Sequence, residues 1–379
     1  MQRTVMKEHA EKSSRLPPAE TFVLIAAAAW TVYVALTCFR LEGGAAEVLA
    51  TSWQYLAFAP MLVAGAVLGH VAKRGVLPLV VSLLVVAPAL VLLLGVPSYV
   101  NALAAAGVQL AALGALIFEG SAGAGVRGLR GAPMVRTRDP GDVALGGWDR
   151  AQIAWRRQLV QVIGACIAVL GVVLATNAKA GLATLAVVLL AAALAAWGRL
   201  HLSRRTIVGL GLGAVGLAAL LVVVLGVVSR WPSWMTGPQS LSSARHALWR
   251  DALTLFAQHP VLGGGPGAFS DWSDIAEYNP LLYAAHSSVL QVASELGAVG
   301  VFLFGAMLAA GMNLAAQRGR GRALIGVAAW SALAVHSMID HLYEFPMVVL
   351  LAGIVIGWAG ARPVRRAGTP PGPEPRPGR

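Results

Sequence analysis

The segment TIVGLGLGAVGLAALLVVVLGVV, from Thr206 to Val228, is 23 residues long and carries no charged side chain. At 1.5 Å of rise per residue, a helix of that length reaches about 35 Å, more than the roughly 30 Å hydrocarbon core of a bilayer. Helix is the conformation it must take there, because lipid offers no partner to an unpaired N–H or C=O. Nine further stretches read in the same way, at 22–39, 54–72, 76–95, 100–118, 158–175, 181–198, 286–311, 323–340 and 345–361. Pro60, Pro88 and Gly171 fall inside spans, where such residues are tolerated without breaking them. The expected fold class is therefore all-α: a polytopic membrane helical bundle of about ten transmembrane helices.

Composition agrees. Of the 379 residues 57% are hydrophobic and only 12% charged, with a mean hydropathy of +0.70. A soluble domain is about 25% charged. A disordered chain, a coiled coil and collagen are excluded on that ground, and a polytopic membrane protein, not a soluble enzyme, is the expectation. The two cysteines, Cys38 and Cys166, both lie in apolar runs, so neither a disulfide framework nor a cysteine metal site is indicated. The first span follows a polar start with no small-residue cleavage site and reads as retained.

The net charge of +12 would suggest nucleic acid in a soluble protein. Here it sorts by loop. With the N-terminus in the cytoplasm, the inner segments hold 24 of the 29 Lys and Arg residues. The outer ones hold Arg40, Lys179, Arg230, Arg245 and Arg250. This follows the positive-inside rule, and it leaves no nucleic-acid partner to explain; the inner charges meet anionic membrane lipids. Both termini, 1–21 and 362–379, are expected in the cytoplasm, the latter as a disordered tail. A single membrane domain spans 22–361. The inner loop 119–157, rich in Gly and Arg, reads as flexible, and the outer loop 229–285 as structured and functional.

The outer loop carries a helix signal. Ser242 or Ser243 can cap a helix running to about Gln258, with Leu248, Ala252, Leu255 and Phe256 on one face. Arg245 and Trp249 share a neighbouring face. His259-Pro260 ends it. Gly263-Gly264-Gly265-Pro266-Gly267 follows, either a tight turn or a set of backbone amides, Gly265 and Gly267 among them, that could approach an anion. His286 opens the eighth span, and Glu295 reads as a fixed polar contact within it. Lys179 lies in a tight outer turn. His336 and Asp340, four apart, share a face at the outer end of the ninth span. Arginines 245 and 250, Lys179, His286 and the His336/Asp340 pair thus gather on one side of the membrane. That pattern suits a site gripping a lipid-linked polyanionic head group, with imidazole available for proton transfer. No Asp-x-Asp cluster faces outward to hold a metal.

Arg245-His-Ala-Leu-Trp249, His259-Pro-Val-Leu-Gly-Gly-Gly-Pro-Gly-Ala-Phe269, His286-Ser287 and Glu295-Leu-Gly297 with Gly300 together resemble the O-antigen ligase family, over residues 240–305. His336-Ser-Met-Ile-Asp340 is similar to what such proteins show before their last span. The resemblance implies a GT-C-like glycosyltransferase that moves a glycan from undecaprenyl diphosphate to an acceptor on the outer face of the cytoplasmic membrane. The acceptor would be a lipid A core, a growing polysaccharide or a protein. The reaction is expected to be inverting and metal-independent, with no cofactor. Arg245 would pair with the diphosphate and His286 would act as general base or orient the acceptor hydroxyl. Trp249, Arg250, Gly265, Gly267, His336 and Asp340 are candidate substrate-binding residues. Lys179 stands where the family usually has arginine, and so lacks the bidentate fork. The alternatives are a transporter or lipid-glycan flippase, or a family member without activity.

Overall fold

The computed structural model describes residues 18–40, 45–72, 99–131, 178–198, 202–233, 242–279 and 282–361. Among these, every regular element is helical. In chain order they are α1 (Pro18–Cys38), α2 (Ala45–Val71), α3 (Val100–Gly131), α4 (Lys179–Trp197), α5 (Arg204–Val227), α6 (Ser242–Gln258), α7 (Ala268–Trp272), α8 (Asp274–Tyr278), α9 (Ser288–Ala315), α10 (Arg320–Met338) and α11 (Pro346–Gly360), with a 3₁₀ turn at Leu342–Glu344. Six helices hold stretches long and apolar enough to cross a membrane: Ala19–Cys38, Ala50–Val71, Val100–Glu119, Lys179–Trp197, Arg204–Val227 and Ser288–Ala315. The protein is a polytopic helical membrane protein. The expected spans 76–95 and 158–175, and both termini, lie outside the described residues.

Two expectations change. Helix α3 continues to Gly131, so the first part of the 119–157 loop is helical. The eighth span is not continuous. Gly297 has φ 66° and ψ −167° inside α9, which divides it into two helical pieces.

Helices α2 and α11 lie closest. A Cβ on Gly65 would collide with the Leu350 carbonyl, one on Gly69 with that of Ile354, and one on Gly357 with that of Ala66. The register, 65 beside 350–353 and 69 beside 354–358, makes the two helices parallel. Small residues four apart let backbones meet in lipid, where dispersion and not hydrophobic burial drives association. Beside this seam Trp30, fully buried, donates its indole N–H to the Tyr55 carbonyl at 2.8 Å. Its ring joins Phe58 and Phe304, with Tyr343 against both phenylalanines. By contrast α5 leaves Leu210, Leu217 and Leu220 exposed, the mark of a lipid-facing side.

Helix α6 runs from Ser242 to Gln258 as the sequence predicts. Leu248, Ala252 and Leu255 are buried, and the helix packs on α9 and on the end of α5. The His246 ring reaches the Val228 carbonyl at 2.8 Å.

The seam at α2 and α11 gives a first test. Gly65→Ala should lower the thermal unfolding midpoint in detergent by an amount equivalent to about 1–3 kcal/mol. Gly213→Ala, where a Cβ meets nothing within 4 Å, should leave it unchanged or slightly raised.

Candidate active site

The site is built where three segments end. Residues 99–101 lead into α3, residues 286–288 lead into α9, and residues 339–341 follow α10. Asp340 is at its centre and only 1% exposed. Tyr99 donates its hydroxyl proton to Oδ1 at 2.6 Å, Asn101 donates Nδ2–H to Oδ2 at 2.6 Å, and the His341 amide donates to Oδ1 at 2.8 Å. His286 Nδ1 lies 3.5 Å and His341 Nδ1 3.0 Å from the same oxygen. The main chain locks the arrangement: Ser288 donates both its amide, at 2.9 Å, and its hydroxyl, at 3.0 Å, to the Asp340 carbonyl. Burial pushes the Asp340 carboxyl up, but the hydrogens offered by His286, His341 and Tyr99 outweigh it and hold the group well below the usual carboxylate range. Burial lowers His341 from the ordinary imidazole value, against the pull of Asp340. Burial raises the Tyr99 phenol, as does the Asp340 charge.

These contacts fix the tautomer of His286. Tyr99 sends its proton to Asp340, so its oxygen, 3.4 Å from His286 Nδ1, is an acceptor there. With a carboxylate and a phenol oxygen both facing Nδ1, the neutral imidazole carries its proton on Nδ1 and its lone pair on Nε2. That Nε2 is buried and has no hydrogen-bond partner. His286 also has φ +49°, the one positive value at a non-glycine among the described residues. Such a backbone costs on the order of 1–3 kcal/mol and persists where the surroundings over-determine it.

Arg245 stands half-buried on α6. Its Nε is unpartnered, and it is close enough for its charge to act on Tyr99, His336 and His341. His336 is 2% exposed with Nε2 unpartnered. The described residues therefore bring together four of the sequence-predicted residues, His286, Asp340, Arg245 and His336. Others sit apart. Trp249 is buried and lies edge-on to Trp231 at 5.2 Å, seating α6. Arg250, and Lys179 at the start of α4, are exposed, with no hydrogen bond or ion pair from either side chain to this group. Tyr99 and Asn101 were not predicted, and neither was a direct part for His341. Their one sequence signal was the pair of polar residues flanking Val100 at the mouth of an apolar run.

The glycine turn is a clamp. Gly264 and Gly265 donate their amides to the Ser294 and Glu295 carbonyls, each at 2.9 Å. The Gly267 and Phe269 amides point at the Glu295 carboxylate. Tyr55 donates to that carboxylate at 2.5 Å and Gln291 at 2.8 Å. These amides are thus engaged within the protein. Glu295 is the fixed polar contact the sequence suggested. Across the break in α9, Ala298 and Val299 donate to the Pro260 and Val261 carbonyls.

Only one group among the described residues has metal-ligand spacing: His286, Asp340 and His341 present ligand atoms within 4.8 Å of one another. Both carboxylate oxygens accept hydrogen bonds from Tyr99, Asn101 and the His341 amide, while His286 Nε2 and His341 Nδ1 are buried without a hydrogen bond.

The family model described as O-antigen ligase matches residues 164–305. That interval contains α4 to α8, His286 and the first part of α9, break included. No curated protein matches the chain.

The clamp predicts a second outcome. Gly297→Ala forces a Cβ against the Val261 carbonyl at a φ of 66°. It should abolish stable folding, or lower the unfolding midpoint far more than Gly305→Ala, where a Cβ meets nothing within 4 Å; fluorescence-detected unfolding reads both.

Proposed function

We propose that the chain, whose residues 164–305 match the family model described as O-antigen ligase, is an O-antigen ligase-like glycosyltransferase that takes a glycan from undecaprenyl diphosphate and passes it to an acceptor hydroxyl on the outer face of the cytoplasmic membrane. The observation that carries this reading is the buried, unpartnered Nε2 of His286, opposite an Nδ1 that faces Asp340.

The acceptor hydroxyl gives its proton to His286 Nε2 as its oxygen bonds to the anomeric carbon. The bond from that carbon to the diphosphate oxygen breaks, and the lipid diphosphate leaves with the electron pair. One displacement inverts the anomeric centre. Asp340 stabilises the imidazolium that forms and holds the ring in its tautomer, as carboxylates do in acyl-transfer triads. Arg245 balances the charge growing on the leaving group, the largest single lever in such a transfer. Lys179 and Arg250, both exposed, add positive charge for the approaching donor. His336 lines the acceptor side. No step requires a metal, since the cation is supplied by the side chain.

The test uses purified protein in lipid, with donor and acceptor extracted together from the source cells. His286→Ala should lower turnover by about 10²–10⁴-fold, the worth of a general base. Arg245→Ala should lower it comparably and raise the donor KM, while EDTA should leave wild-type turnover unchanged. Full turnover in both variants would refute the assignment. Loss with EDTA and recovery with a divalent ion would give His286, Asp340 and His341 to a metal.

A further inference from the structure

We infer that Gln291 is a positioning residue for the base, holding the backbone before His286 in the geometry that aims Nε2. The inference rests on the reading of His286 given above. Gln291 lies on the first turn and a half of α9 and is 5% exposed. Both ends of its amide are used. Oε1 accepts the Ala285 amide at 2.6 Å, and Nε2 donates to Glu295 Oε1 at 2.8 Å. Glu295 is itself held by Tyr55 and by the Phe269 amide of the glycine clamp.

The geometry explains the need. His286 is the residue at φ +49°, and a non-glycine side chain relaxes out of that region unless its flanks are fixed. One flank is fixed by Ser288, whose amide and hydroxyl both bind the Asp340 carbonyl. The other flank, Ala285, is fixed by Gln291. With the second anchor removed, the peptide before His286 is free to turn and the imidazole swings away from Asp340. The same hydrogen bonds link the clamp at Gly263–Phe269 to the base, so the outer loop and the base are set by one connected network.

The experiment compares single variants at Gln291, Tyr33 and His286, and one double variant, of the full chain in lipid, with the source cells' own lipid-linked donor and acceptor pool as substrate. Gln291→Met keeps the volume and loses both hydrogen bonds. It should lower kcat by about 10–100-fold, the usual cost of a misplaced group, with both KM values within about twofold. Gln291→Glu keeps an acceptor for Ala285 but sets a second carboxyl against Glu295, so that one proton must be shared between the two; its kcat should fall between those of Gln291→Met and the wild type. Tyr33→Phe removes a different contact to the same helix, the 2.6 Å bond to the Leu296 carbonyl; it should lower the unfolding midpoint and leave kcat unchanged. In a His286→Ala background, Gln291→Met should change the residual turnover by less than about twofold, since groups acting as one unit are not additive. Wild-type kcat in Gln291→Met, or an undiminished effect in the His286→Ala background, overturns the positioning role alone. Full activity in His286→Ala overturns the base assignment beneath it.

Discussion

Two backbones cross at Gly263 and Gly297 with no room for a side chain on either. A Cβ on Gly263 would strike the Glu295 carbonyl and one on Gly297 the Val261 carbonyl. The crossing exists because α9 is broken at that point, where a left-handed φ takes the chain out of helix. A break inside lipid leaves carbonyls and amides without helical partners, each costing several kcal/mol if unsatisfied. The turn from Pro260 to Gly265 supplies those partners: its amides take the carbonyls of residues 294 and 295, and its carbonyls take the amides of residues 298 and 299. Break and turn are therefore each the other's hydrogen-bond complement.

From that junction the rest of the site follows. The clamp fixes Glu295, Glu295 holds Gln291, and Gln291 holds the amide before His286. On the far side, Tyr99, Asn101 and Ser288 fix Asp340. The base sits between two rigid supports, and its one unengaged nitrogen is the atom the chemistry requires. A buried polar network of this kind is costly when half satisfied and specific when complete.

Much of this was legible in the sequence, and what was missed has a common cause. Apolar runs, the helix at Ser242–Gln258 and the His286-Ser287 pair are local patterns, and the described residues carry the helix, the pair and the apolar runs that fall within them. The glycine turn was visible, but not its use: five glycines can cradle an anion or cross a helix, and only the partner, Gly297, distinguishes the two. Gly297 itself was hidden because glycine within a span normally leaves the helix intact. Tyr99 and Asn101 come from a different helix, so their meeting with Asp340 is a tertiary fact. Gln291 is five residues from His286 and contacts Ala285, an offset that no helical periodicity marks. The positive charge read from the loops was informative in kind, yet only Arg245 of the outer residues comes near the base among the described residues.

The central claim is that a carboxylate holds His286 in the tautomer that leaves Nε2 free to accept a proton. The direct measurement is the turnover of Asp340→Asn in the reconstituted transfer reaction, beside the wild type at saturating donor and acceptor. An asparagine keeps the shape and, through Oδ1, the acceptor for Tyr99, while its Nδ2 faces the Asn101 amide, which must turn over to accept from it; it removes the charge that sets the tautomer and stabilises the imidazolium. The account predicts a fall in kcat of about 10²–10⁴-fold with the protein folded. Turnover equal to the wild type would contradict it.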